Sequence, residues 1–177
     1  MLFNYNSMNT RLTLDTLAHE LAQWVRQTQV SAMSVLHTAD VNSYPGYGLH
    51  FDRANKNQFI FFADLNKDKR YQPLIGVQKC GDVGVECQKL ETLSKGNTIV
   101  TICGETTSGS AAIDCGPYAY ANNVDIVFTR PDPDAIIGGD DSTNVPVIFS
   151  RARITVASVN NYQRTVEVWT TGQVSVQ

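Results

Sequence analysis

The sequence predicts an α+β fold, with one long amphipathic helix packed on antiparallel β-sheet. Two observations predict it. Residues 12–37 carry the only long helical pattern, and after Pro45 every ordered-looking segment reads at period two. A single helix followed only by strands, joined by short turns, has no means of building parallel βαβ units. The 177 residues, 42% hydrophobic and 18% charged, suit one folded domain with a real core. The chain accordingly reads as a single domain, 1–177, with the helix in 1–37 and a β region in 46–177.

The helix comes first. Leu14, Leu17, Ala18, Leu21, Trp24, Val25, Thr28, Ala32, Val35 and Leu36 recur at three- and four-residue steps and form one apolar stripe. His19, Glu20, Gln23, Arg26 and Gln27 occupy the other side. Thr13 is a candidate N-cap, yet Leu2, Phe3, Tyr5, Met8 and Leu12 extend the apolar pattern upstream, as in a helix whose front lies earlier.

The strands follow. Tyr47, Leu49 and Phe51 alternate with Gly48, His50 and Asp52, and "QFIFFA" returns as the second arm of a hairpin across "RANKN". "QKLETL", "NTIVTIC", "VDIVFT", "PVIFSRARITVAS" and "RTVEVWTTGQVSV" supply further strands, the last two joined through "SVNNYQR" as a hairpin. "PDPDAIIGGDDSTNVP", residues 131–146, reads as a long exposed loop.

Composition excludes several classes. The net charge of −3 and the absence of long basic runs disfavour a protein that works by neutralising phosphates. No stretch reaches the roughly 18–20 apolar residues of a membrane-spanning helix, and the N-terminus has no signal-peptide pattern. The four cysteines lack C-x-x-C spacing and cluster in a glycine-rich third of the chain, which favours disulfides and an oxidising compartment. Three pairings are open. The sequential one, Cys80 with Cys87 and Cys103 with Cys115, is favoured because each pair closes a short glycine-containing loop.

Catalytic signatures are missing. His19, His37 and His50 have no metal-like spacing to carboxylates or cysteines and read as surface residues. Ser110 and Asp114 sit in the loop between two cysteines, and no nucleophile elbow or phosphate-binding glycine loop occurs. The expectation is a protein that is not an enzyme. One stretch, "FFADLNKDKRYQ", opens as a calcium loop does. Asp64, Asn66 and Asp68 fit its first three ligand positions and the Arg70 carbonyl its fourth, but Lys69 and Ile75 stand at its glycine and glutamate positions. A polar turn after the strand is the first reading, and a structural calcium ion is the second. Arg151 and Arg153, two apart on a strand, share one side and read either as a solvated face or as a grip on a phosphate or carboxylate.

The order of segments resembles the soluble part of a type IV pilin-like protein, nearest the minor pseudopilins and minor pilins of the GspH/FimT kind. The residues that carry the resemblance are "RLTLDTLAHELAQWVRQTQVSAMSV", "GYGLHFD", "FIFFADLNKDKRY", "VDIVFTRPDPDAII" and "RTVEVWTTGQVSV", in an order that runs over essentially the whole chain. The basic leader, cleavage site and apolar half-helix of such proteins have no counterpart here, so this helix corresponds to the amphipathic second half. The resemblance implies a pilin-like fold and a structural subunit of a pilus or type II secretion pseudopilus. Its partners are other pilin subunits and the assembly machinery, with membrane anchoring through the absent half-helix and an extracytoplasmic location. Arg11, Asp15, Glu20 and Arg26 become candidate contacts between subunits. A calcium ion in a surface loop also fits that setting. The alternatives are a DNA-binding minor pilin using Arg130, Arg151, Arg153 and Arg164, and an unrelated secreted binding module.

Overall fold

The computed structural model describes residues 3–34, 44–105 and 121–177, with side chains from residue 8 onward. Among them one helix, α1 (Phe3–Met33), precedes ten strands. These are β1 (Gly46–Asp52), β2 (Gln58–Asp64), β3 (Cys87–Thr92), β4 (Thr98–Glu105), β5 (Asn123–Phe128), β6 (Ala135–Asp140), β7 (Pro146–Phe149), β8 (Arg151–Ala157), β9 (Gln163–Trp169) and β10 (Val174–Val176). They form a six-stranded sheet, in the order β3-β2-β1-β5-β6-β7, and a four-stranded sheet, in the order β10-β9-β8-β4. Every neighbouring pair is antiparallel.

The predicted α+β, pilin-like architecture is thereby corrected. The chain is mostly β, two antiparallel sheets with a single N-terminal helix, and not a pilin-like long helix packed on a sheet. The helical stripe drew the sequence reading because its periodicity is sustained. The strands hidden in apparent loops, and their division between two layers, leave no such mark on the sequence.

The stripe itself is buried as expected at Leu14, Leu17, Ala18, Leu21, Val25, Thr28 and Ala32, with Trp24 half-buried. Val35, Leu36 and His37 lie outside the described residues. Thr13 is not an N-cap but an interior residue whose hydroxyl donates to the Asn9 carbonyl, 2.9 Å away. Leu12 points away from the stripe and is exposed. The buried helical residues join those of both sheets in one cluster. Trp24 meets Phe59 edge-on at 5.9 Å, and Tyr47 stacks on Phe61 at 5.6 Å. Further ties run outside the core. Arg164 donates from Nε to Asp15 at 2.5 Å, the Arg11 guanidinium lies 4.3 Å from the Tyr162 ring centre, and Gln29 donates to the Pro133 carbonyl at 2.7 Å.

Two further corrections concern the strands. Residues 131–146 are not one exposed loop, because Ala135–Asp140 form β6, paired on both sides and burying Ala135, Ile137 and Gly139. Gly138 and Gly139, preceded by a Pro-Asp run, hid the strand. Nor is "PVIFSRARITVAS" one strand. It breaks at Ser150, with β7 on the edge of the larger sheet and β8 inside the smaller one. Ser150 satisfies the corner: its amide and hydroxyl both donate to the Glu105 carbonyl, and its own carbonyl accepts from Thr170 N–H.

Phe149, fully buried, fills this corner between the sheets. A Cβ at Gly104 of β4 would lie 2.2 Å from its ring, and one at Gly139 would meet the ring at 3.2 Å and the Asn123 carbonyl at 2.2 Å. Glycine stands at these two places because the ring and a neighbouring backbone occupy the space. A register shift between Ile99 and Thr101 turns both Ile99 and Ile102 into the core, although three positions separate them.

Candidate functional site

The larger sheet has one face against the core and one face outward. Leu49, Phe51, Val124, Ile126 and Ile137 point to the core, so the intervening residues point out. Register then assembles the outer face row by row. His50 pairs with Asp125, which pairs with Gly138, and Asp52 pairs with Asn123, which pairs with Asp140. Polar residues from three strands thus lie side by side, with no side chain at Gly138 to fill the space beside Asp125.

Residues 65–86 cross part of this face. Phe62, whose ring lies over Gly48, packs on Tyr71 at 5.5 Å. Tyr71 also lies against the His50 ring at 4.7 Å, and burial pushes its phenol up from the ordinary value. Beside this cover the outer face opens into a cleft of about 750 Å³, whose lining includes His50, Arg70, Tyr71, Asn123, Asp125 and Asp140.

The polar groups are held in pairs. His50 Nδ1 lies 2.7 Å from Asp125 Oδ1, and the two side chains are 13% and 4% exposed. A carboxylate only accepts, so Nδ1 is the donor of this pair. Arg70 donates to Asp140 Oδ1 at 2.6 Å, Asn123 Nδ2 donates to Oδ2 at 2.8 Å, and the Asp140 amide returns to Asn123 Oδ1 at 3.0 Å. Burial alone pushes the Asp140 carboxyl up. The hydrogen bonds from Asn123 and Arg70 outweigh it and hold its pKa below the ordinary value. Asn122 and Asn144 pair at the rim at 2.7 Å.

The stretch from Asp64 to Arg70 forms a turn. Asp68 N–H donates to Asn66 Oδ1 at 3.0 Å, Arg70 N–H to Asp68 Oδ1 at 2.9 Å, and Lys69 N–H to Asp64 Oδ2 at 3.2 Å. Lys67 and Lys69 take the left-handed backbone conformation. The Lys69 ammonium also reaches Asp64 Oδ2 at 3.4 Å, while Asp64 Oδ1 is buried without a hydrogen-bond partner. Of the oxygens expected to ligate calcium, Asp64 Oδ2, Asn66 Oδ1 and Asp68 Oδ1 accept backbone N–H groups of the turn, and Asp64 Oδ1 does not. Among the described residues no group of three or more His, Cys, Asp or Glu side chains is placed to hold a metal ion.

Glu86 closes the turn from the far side, accepting from Leu65 N–H at 3.2 Å and Gln72 N–H at 2.8 Å. It is buried, and burial pushes its pKa above the ordinary 4.5 despite those two bonds. A carboxyl raised in the folded state binds more protons folded than unfolded. Its favourable contribution is therefore full below the unfolded value and lost as pH rises through the folded one. Glu86→Gln is expected to remove that downward slope above pH 4.5 from a urea-stability profile measured between pH 4 and 7. Profiles of identical slope for the two proteins would contradict it.

The four predicted phosphate-gripping arginines do not form a patch. Arg151 and Arg153 bridge Glu105 and Glu167 on the outer face of the smaller sheet. Arg153 Nε lies 2.5 Å from Glu167 and its Nη1 3.2 Å from Glu105, and Arg151 contacts both carboxylates. The group is electrically balanced. Arg164 pairs with Asp15, and Arg130, on the larger sheet's side, donates to the Met33 carbonyl at the end of α1. Of the candidate subunit contacts, Arg11 and Asp15 are engaged within the chain, whereas Glu20 and Arg26 are exposed.

Cys80 and Cys87 form a disulfide, the expected partner choice for this pair. A closed loop this short contributes about 2 kcal/mol on the chain-entropy account. Cys103 is also disulfide-bonded. Cys115, Ser110 and Asp114 lie outside the described residues.

His50, Tyr71, Asn123, Asp125 and Asp140 were not legible as a site. One signal was present: "VDIVF" places a charge inside an apolar strand, where only an outward position with a partner is tolerable. Its partner, His50, is 75 residues away. Comparison with protein-family models, curated proteins and solved structures finds no match for this chain.

Proposed function

We propose that this chain is a structural subunit of a type IV pilus or type II secretion pseudopilus, acting by assembly and surface contact and not by catalysis. The observation that carries the reading is the outer face of α1. Met8, Leu12 and Val30 are 66%, 65% and 64% exposed. At 100° per residue they fall within about 40° of one another. Thr16, His19, Gln23 and Arg26, all exposed, complete the same face. Large apolar side chains in line on a helix whose other side is sealed are what a neighbouring helix would cover. The resemblance of the sequence to minor pilins supports the same reading, and the disulfides support an extracytoplasmic location. No helix among the described residues is long and apolar enough to cross a membrane.

The test is site-specific photocrosslinking in cells that assemble the filament from the full gene product. A photoreactive residue at Leu12 or Val30 is expected to capture a neighbouring filament subunit. One at Val159, exposed on the β8–β9 turn, serves as the comparison. Filaments in which neither helix position captures a subunit would overturn the reading.

A further inference from the structure

We propose that the cleft on the outer face of the larger sheet binds a neutral saccharide. The proposal is independent of the filament reading, because it uses none of the helix face.

The space comes first. About 750 Å³ falls within the roughly 300–1,000 Å³ typical of small-molecule sites. The lining is polar and prearranged. Asp125 is fixed by His50, and Asp140 by Arg70 and Asn123. Asp52 is fixed by Ala54 N–H and the Asn55 amide, both at 2.8 Å. Carboxylates and amides locked in this way offer acceptors and donors at set positions without further loss of side-chain freedom on binding.

Charge then selects the ligand. Four carboxylates (Asp52, Asp68, Asp125 and Asp140) face two guanidinium groups (Arg53 and Arg70) in the lining. An anionic ligand meets net repulsion. A cation would compete with the donors that already hold these carboxylates, His50 at Asp125, Arg70 and Asn123 at Asp140, and backbone N–H groups at Asp52 and Asp68. Hydroxyl groups, each both donor and acceptor, match a lining that carries carboxylate acceptors together with amide and guanidinium donors. Tyr71, which lines the cleft, supplies aromatic carbon surface for a sugar to meet. Beyond it a smaller space of about 190 Å³, sharing His50, Asp52, Tyr71 and Pro73, is lined also by Phe59, Ile60 and Leu74. That annex suits a methyl-bearing substituent such as an N-acetyl group.

The experiment is binding of the intact chain to an array of neutral, sialylated and sulfated glycans, with spermidine titration as the cationic arm. Binding of a neutral glycan is expected, weakened at least about tenfold by Tyr71→Ala and by Asn144→Ala. Asn144 is exposed at the rim, so its variant folds even if Tyr71→Ala does not. Binding confined to acidic glycans or to spermidine overturns the proposal. So does the absence of any binding, or neutral-glycan binding left undiminished by both folded variants.

Discussion

Replacing Phe149 with alanine is expected to destabilise the protein by about 3–5 kcal/mol, a fall in Tm of roughly 6–20 °C for a chain of this size. The ring is 1% exposed and stands where the chain leaves the larger sheet for the smaller one. Its loss opens a cavity bounded on two sides by glycine, Gly104 and Gly139, so no neighbouring side chain there can relax into the space. The same geometry fixes the sign of a second substitution. Gly104→Ala in the native background drives a methyl to 2.2 Å from the ring and costs about 1–3 kcal/mol by overpacking. In the Phe149→Ala background that methyl enters the cavity instead. The double variant is therefore expected to be more stable than the two single losses predict when summed, a coupling that urea denaturation of all four proteins reads directly. Strict additivity would show that the corner is not packed on this ring.

The salt-bridge cluster of the smaller sheet carries the second large effect. Arg151→Ala combined with Arg153→Ala is expected to cost about 3–5 kcal/mol. Glu167, whose side chain is 3% exposed, would be left buried with no cation. Adding Glu167→Gln to the pair is expected to recover part of the loss, because a neutral amide no longer carries the charge. A double variant within 1 kcal/mol of the parent protein by urea denaturation would sink this account. The cluster also bears on nucleic acid. Since both arginines are neutralised by Glu105 and Glu167, a charge-balanced variant carrying Arg151→Ala, Arg153→Ala, Glu105→Gln and Glu167→Gln is expected to be retained on duplex DNA at low salt as the parent protein is. A clear loss of retention would restore the arginines as phosphate contacts.

The sequence by itself determined whatever depends on neighbours within a few residues. The buried side of α1 follows from side chains three and four apart, and Leu14, Leu21 and Val25 are buried as their spacing requires. Period two fixed which residues of β1 and β5 face the core. The β8–β9 hairpin follows from "SVNN", where Asn161 takes the left-handed conformation that a turn needs. The Cys80–Cys87 bridge joins cysteines seven positions apart, and the Asp64 turn is tied by its own side chains.

Tertiary structure decided what depends on register between distant strands. Whether Ile137 is loop or core is settled only when β5 and β7 flank β6, since two glycines and a short apolar run satisfy either outcome alone. Ser150 reads as any residue inside a long strand until Glu105, 45 positions earlier, offers the carbonyl that takes its hydrogen bonds. Arg151 and Arg153 read as a basic pair, and pairing of β8 with β4 and β9 turns them into a neutral cluster. The cleft belongs to the same class. His50 and Asp125 are an exposed-looking histidine and an isolated aspartate along the chain, and cross-strand register sets them 2.7 Å apart under Tyr71. Local spacing encodes which way a side chain points. Only the closing of long loops into sheets decides what it meets there.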